Sequence, residues 1–256
     1  MPIPHTRIRG KIHYTSDKPD RKGQERGREY FTITVHGDGH RTLRAYTEID
    51  DAPNVMRDVT LSLGADWKPT DCFVRLSVGD KMVGSSWFRF GPNLAECEGY
   101  TVAEGRISQT FALDRPLVGF GTHPIQGDAF LTRIVDVSVD VSKQPTNRAY
   151  QDVMMCSLDH RGATGPMLMP HPLGVRLAFM GRERITVAAG TFNALHFRYS
   201  ESTDDGSETR NAPGKHPPYD LWCTDDGDYV FLRAWVTGYM MTRYELTEYE
   251  RIAGSP

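Results

Sequence analysis

Strict alternation of apolar and polar residues is the feature that most constrains what this chain can fold into. In "CFVRLSV", Cys72, Val74, Leu76 and Val78 share one face, and Phe73, Arg75 and Ser77 take the other. A period of two places successive side chains on opposite sides of a strand, whereas a helix would scatter them around its circumference. The same pattern recurs in "KMVGSSWFRF", "GRISQTFAL", "ERITV", "ALHFRYS", "YVFLRAWV" and "YMMTRYELTEY", all rich in β-branched or aromatic residues. Turn signals such as "GADWKPTD", "SVGDK", "FGPN", "AAGT", "TDDGD" and "VTGY" separate them. Their spacing of roughly 8–12 residues favours an antiparallel sandwich or barrel. No strand–helix–strand cadence appears, which argues against a Rossmann or TIM fold. The expected fold is all-β, an antiparallel β-barrel with minor helix, in one domain over residues 1–256. Its strand-rich stretches run from about 5 to 113 and from 149 to 251.

Three segments depart from the pattern. "DAFLTRIVDVSVDVSK" opens with helical spacing and closes in alternation, so a helical turn feeding a strand is expected. "STDDGSETRNAPGKHPP" reads as a long surface loop. "HRGATGPMLMPHPLG" is irregular yet apolar, which fits a segment lying against a cavity or capping a barrel mouth.

Composition narrows the function classes. With 30 basic and 33 acidic side chains the net charge is -3, which implies no basic face for nucleic acid. Cys72, Cys97, Cys156 and Cys223 are widely spaced without a CxxC pattern, and read as buried small hydrophobes. "MPIPHTRIRGKIHY" lacks the apolar core of a signal peptide and no segment approaches a membrane span, so a cytoplasmic location is expected. Nucleophile-elbow, Walker, GxGxxG, HExxH and EF-hand signatures do not occur, so no nucleotide, flavin or metal cofactor is expected.

Toward the C-terminus, "ITVAAGTFNALHFRYS", "YDLWCTDDGDYVFLRAW" and "YELTEYE" resemble a family of uncharacterised bacterial calycin-like barrels. The matching residues are Val187, Ala189, Gly190, Thr191, Phe192, Trp222, Asp226 and Leu232, and the resemblance covers about the last third of the chain. Ala188-Ala189-Gly190 stands where the family often has Pro-Ala-Gly, and the turn needs its glycine more than its proline. The resemblance implies a lipocalin-like barrel holding an apolar molecule. It supplies no reaction.

"GFGTHPIQGDAF" is the first candidate for chemistry. Its glycines allow a tight loop that would aim His123 and Asp128 into a cavity, and a histidine oriented by a carboxylate is a common general base. Equally, Asp128 could cap a helix and His123 sit in a turn. "LDHRGATGP" offers His160, between Asp159 and Arg161, though an Arg–carboxylate clamp for the loop is the plainer reading. "HPPYDLWC" places Asp220 and Trp222 on one face, with Tyr219 on the other. If the Trp222 face were the lumen, Asp220 would be a buried acid; the plainer reading is an aspartate that fixes the preceding Pro-Pro turn. The candidate catalytic set is therefore His123, Asp128, His160, Tyr219 and Asp220. Arg89, Trp87, His171, Trp222 and Tyr239 are candidates for substrate binding, with sheet packing as the alternative for the aromatics.

The expected function is a cofactor-independent lyase, acting by general acid–base chemistry on an apolar aromatic, in particular phenolic, small molecule inside the barrel. The alternative is a non-catalytic carrier for such a molecule. The expected partners are that ligand and, optionally, a second copy of the chain in a homodimer, with neither nucleic acid nor membrane.

Overall fold

The protein, as a computed structural model, is described over residues 5–142, 148–159, 161–171, 174–201 and 216–254. The alternating runs become strands β1 (Thr6–Ser16), β2 (Glu25–Val35), β3 (Arg41–Ile49), β4 (Val55–Leu63), β5 (Pro69–Val78), β6 (Lys81–Phe90), β7 (Leu94–Thr101) and β8 (Gly105–Ala112). A central stretch follows, with β9 (Gly119–Gly121), helix α1 (Ile125–Leu131), β10 (Arg148–Tyr150), β11 (Val153–Met155) and β12 (Met169–Pro170). The chain ends in β13 (Val175–Val187), β14 (Gly190–Glu201), β15 (Tyr219–Thr224), β16 (Phe231–Val236) and β17 (Thr242–Ile252).

Fourteen of these strands form one antiparallel sheet in the order β10-β13-β14-β15-β16-β17-β1-β2-β3-β4-β5-β6-β7-β8. The first and last strands of the chain's long runs pair, since β1 lies between β17 and β2. Side chains from distant positions in that order meet in one core. Ile8, Leu43, Val74 and Phe88 belong to the same buried cluster as Leu177, Leu195 and Leu221. A sheet whose remote strands share a core is rolled on itself, so the expected all-β barrel is the fold. No ladder joins β8 to β10 among the described residues.

Alternation decides which residues face in. Along β4, Val55, Arg57, Val59, Leu61 and Leu63 are buried, while Met56 and Asp58 are exposed. The β13–β14 hairpin turns at Ala188-Ala189 and enters β14 through Gly190 at φ +142°, a conformation that a side chain would strain.

The interior is filled from the middle of the sequence. The small sheet β12-β11-β9, with β9 and β11 parallel, puts Phe120 against Phe88 and Phe90, at ring separations of 5.0 and 4.7 Å. The apolar irregular segment lines this interior: Ser86 Oγ donates to Pro166 O (2.7 Å), and the Gln109 amide bonds Leu168 N and O. Helix α1 buries Gln126, Gly127, Ala129, Phe130 and Leu131, and the Gln126 side chain ties it to Tyr229 O and Phe231 N of the β15–β16 region.

The expected strand after the helix does not form. A 3-10 turn over Thr132–Ile134 follows α1, and residues 135–142 are irregular. Asp136 and Asp140 each accept from the backbone N–H and hydroxyl two residues on, at Ser138 and Ser142. These local turns take polar groups that a ladder would otherwise use. Most of "STDDGSETRNAPGKHPP" lies outside the described residues. All four cysteines are buried and free of disulfides.

Candidate active site

Three inward positions on regular strands carry polar side chains where neighbours on the same face are apolar. Tyr14 follows Ile8 and Ile12 on β1, Glu29 precedes Phe31 and Ile33 on β2, and Arg57 sits among Val55, Val59 and Leu61 on β4. A buried polar group requires a partner. Glu29, fully buried, accepts from the Tyr14 hydroxyl (2.9 Å), from Ile125 N (2.6 Å) and from Gln126 N (3.0 Å). The carboxylate from β2 thus caps the N-terminus of α1, where the first N–H groups have no partner within the helix. Asp128 does not cap; its carboxylate accepts from the Tyr219 hydroxyl (2.7 Å). Burial pushes the Glu29 carboxyl up to about 7 against these three donors. It pushes Asp128 up to about 7 as well, against the Tyr219 hydrogen bond. Burial first, and then the neighbouring acid, raise the Tyr14 and Tyr219 phenols well above their ordinary value.

Beside this network lies a cavity with about 110 Å³ of room for the centres of water molecules. Tyr14, Arg57, His123, Tyr239 and Tyr244 line it, together with Lys18, Arg26 and Arg161. No acidic side chain lines it among the described residues. Arg26 is matched by Asp51, 2.5 Å from its Nε. Arg57 is only 1% exposed, yet its guanidinium meets the Cys156 sulfur (3.1 Å) and Gly162 O rather than a carboxylate. Burial raises the Cys156 thiol, with Arg57 opposing it. Gly162 is wedged between Arg57 and His123: a Cβ there would come within 2.5 Å of Arg57 Nη2 and 2.9 Å of His123 Cδ2.

His123 adopts φ +75°, immediately before Pro124. The left-handed region is unfavourable for a residue with a Cβ, and such outliers concentrate at functional sites. The loop "GFGTHPIQGDAF" thereby delivers an imidazole to the cavity and then enters the interior helix.

The structure gathers part of the expected set and disperses the rest. His123 and Tyr239 share the cavity, and Asp128 and Tyr219 form the adjoining pair. His160 lies outside the described residues. Asp220 does not reach the lumen: Tyr219, Leu221 and Cys223 point inward, and Asp220 meets His196 Nε2 (2.7 Å) and Arg198 (3.0 Å) on the outer face. Trp222 shares that outer face, stacked on His196 at 4.0 Å and under Arg233 at 4.3 Å. Trp87 is 45% exposed, and Arg89, two residues along the same outer face of β6, pairs with Glu96. His171 follows β12, partly buried, and does not line the cavity. Tyr14, Glu29, Arg57 and Tyr244 were not among the expected residues.

No protein-family model matches the chain, and no curated protein matches it. Among solved structures it is similar to a β-barrel-like protein of a domain of unknown function, DUF1849, from Brucella abortus. That match has a TM-score of 0.53 and 10% identity, over 97% of this chain and 98% of the other. The fold is barrel-like. At that identity the likeness concerns fold alone. A candidate lipoprotein from Parabacteroides distasonis matches at a TM-score of 0.30 and 8% identity over 95% and 94% of the two chains, too distant to carry an argument. No helix among the described residues is long and apolar enough to cross a membrane.

Proposed function

We propose that the chain is a cofactor-independent lyase that acts by general acid–base chemistry on a small phenolic compound in the His123 cavity. The observation that carries this reading is His123, held at a strained φ beside the buried guanidinium of Arg57, which meets no carboxylate among the described residues. A buried cation without an acid favours an anionic guest, and a phenolate supplies the missing charge. The room available is on the scale of the roughly 150 Å³ apolar cavity known to take up benzene, which limits the guest to about one ring.

In this reading His123 accepts the phenolic proton and Arg57 holds the phenolate oxygen. The oxygen's electron pair moves through the ring, a benzylic C–O bond breaks, and a quinone methide forms. The imidazolium returns the proton to the departing oxygen. Proton transfer of this kind contributes roughly 10²–10⁴-fold. Tyr14, already donating to Glu29, is a fixed wall rather than the proton carrier.

The finer assignments rest on the same footing. We read the Val187–Phe192 hairpin as that of the bacterial calycin-like barrels, and the reaction as part of aromatic catabolism in a bacterial cytoplasm. The four free, buried cysteines fit a reducing compartment. The test is a panel of 2-hydroxybenzyl ethers, whose phenolic and benzylic oxygens are close enough for one imidazole to serve both, beside their O-methylated counterparts, followed by product release between pH 5 and 9. Consumption of the free phenols alone supports the lyase. Saturable binding without turnover of either series assigns the cavity to a carrier.

A further inference from the structure

A larger concavity lies apart from the His123 cavity, where the β4–β5 turn, the end of α1 and β10 meet. Its volume is about 580 Å³, within the roughly 300–1,000 Å³ of small-molecule sites. Trp67, Phe130 and Tyr150 supply its aromatic surface, and Arg115, Arg133 and Arg148 its cations. Two acids are present, and both are spoken for: Asp66 pairs with Lys68 at 2.8 Å and Asp152 with Arg115 at 2.7 Å. No described carboxylate pairs with Arg133 or Arg148 at contact distance, although Asp136, held low first by its Ser138 hydrogen bonds, also feels the Arg148 charge.

Isolated surface arginines without a partner are ordinary. These two converge on one concavity, and the aromatics there are held in fixed poses. Trp67 sits at φ +67° with its N–H bonded to Gly64 O (2.9 Å). Its ring is clamped edge-on by Phe130 at 5.4 Å and Tyr229 at 5.5 Å. Arg41 covers the Trp67 ring at 3.9 Å, and Arg148 covers Tyr150 at 4.6 Å. Stacking uses the flat face of a guanidinium and leaves its N–H edge to donate, the geometry that grips planar oxyanions. Like charges crowd the same wall. Burial lowers the Arg41 pKa, and the nearby Arg133 lowers it further, while Asp228 at 3.9 Å is shared with Arg251.

We infer that this groove is a second small-molecule site, for an aromatic ring bearing an oxyanion, with Arg133 and Arg148 on the anion and Trp67 against the ring. It shares no lining residue with the His123 cavity and does not depend on the lyase reading. The shared chemistry admits a carboxylate or a phosphate monoester, so both are probed.

Isothermal titration of the full chain with 1-naphthoate and 1-naphthyl phosphate is the test. At least one should bind with a Kd below about 1 mM and weaken as salt rises, as expected of exposed charges. Methyl 1-naphthoate should bind at least tenfold more weakly than the naphthoate. Arg133→Gln combined with Arg148→Gln, at two exposed positions, should lose at least tenfold on the better anion while keeping the parent circular dichroism and Tm. His123→Ala should leave this binding unchanged. No heat from either anion, equal binding of the ester, or an undiminished double variant would each overturn the site. So would inorganic phosphate binding as tightly as the naphthyl phosphate, because the ring would then contribute nothing.

Discussion

Two histidines of this barrel sit beside tyrosine or tryptophan and arginine, one on the outer face and one at an interior cavity. His196, on the outer face, is stacked on Trp222 and meets Asp220 at 2.7 Å, with Glu183 3.8 Å from its other nitrogen. Its neighbourhood is complete: Arg198 answers Asp220, and the Trp222 indole donates to Glu183 at 2.5 Å. His123 faces a cavity whose cations outnumber its acids and whose backbone is strained. The pair shows that residue types alone do not mark a site. What separates them is whether a carboxylate meets the neighbouring cation: Arg198 has Asp220, and Arg57 has none among the described residues.

The sharpest way to break this comparison is to remove each imidazole in turn. His123→Ala should cut turnover of a phenolic substrate by about 100-fold or more, whereas His196→Ala should leave it near the parent value. Equal losses from both, measured as kcat/KM on purified proteins, would erase the distinction. Next in size is Gly162→Ala, which drives a methyl into Arg57 and His123 together at φ +63°. It should lower turnover by about tenfold or more and cost roughly 1–2 kcal/mol from the left-handed backbone. Unchanged activity would mean that neither side chain needs its present position.

Inner and outer carboxyls should also answer pH with opposite sign. Glu29 and Asp128 hold protons more tightly folded than unfolded, since burial lifts both to about 7. Their contribution is full at acid pH, declines as pH rises from the ordinary carboxyl range to about 7, and is flat beyond. Each pH unit in that window costs up to about 1.4 kcal/mol per group. Asp128→Asn keeps an oxygen for the Tyr219 hydroxyl and should flatten part of that slope in denaturant midpoints taken at pH 4, 6 and 8. At Asp220 burial pushes the carboxyl up, but His196 and Arg198 outweigh it and hold it below its ordinary value. Its contribution is therefore present at neutral pH and lost on acidification. The smallest expected effect is that of Arg198→Ala, below about 1 kcal/mol in stability, as for other half-exposed ion pairs. A larger loss would show that the outer cluster carries more of the fold than its exposure indicates.

The sheet was legible because alternation repeats in every long strand, and turns of Gly, Pro and Asp punctuate it. Which face turned inward was not, since alternation defines two sets without ranking them; Asp220 and Trp222 fell on the outer one. The opening loop was legible through its glycines and His-Pro step. Arg57, Glu29 and Tyr14 were missed, although a local signal existed. In "VMRDVTLSL" the residues sharing Arg57's face are Val55, Val59, Leu61 and Leu63, so a charge interrupts an otherwise apolar stripe. Glu29 interrupts the stripe that continues through Phe31 and Ile33 in the same way. A charged residue on the apolar parity of a strand implies a buried partner, but the partner comes from far along the chain. For Glu29 it is the start of a helix 96 residues later, which period-two reasoning within one strand cannot reach. The strand expected over residues 135–141 failed for the converse reason: the valines alternate, but the aspartates between them bond locally.

That long-range cap has a consequence for the order of assembly. Helix α1 has seven residues, well short of the roughly 12–15 at which an isolated helix holds together in water. Its leading amides find their acceptor on β2, and its side chains anchor to the β15–β16 turn. Strands from both halves of the chain must therefore be in place before the helix has anything to fold against. Slowed hydrogen exchange at the Ile125 and Gln126 amides would date the moment the barrel is complete. The His123 loop, one step upstream, would take its shape at that same moment, so a half-made chain carries the residues of the cavity without the cavity they line.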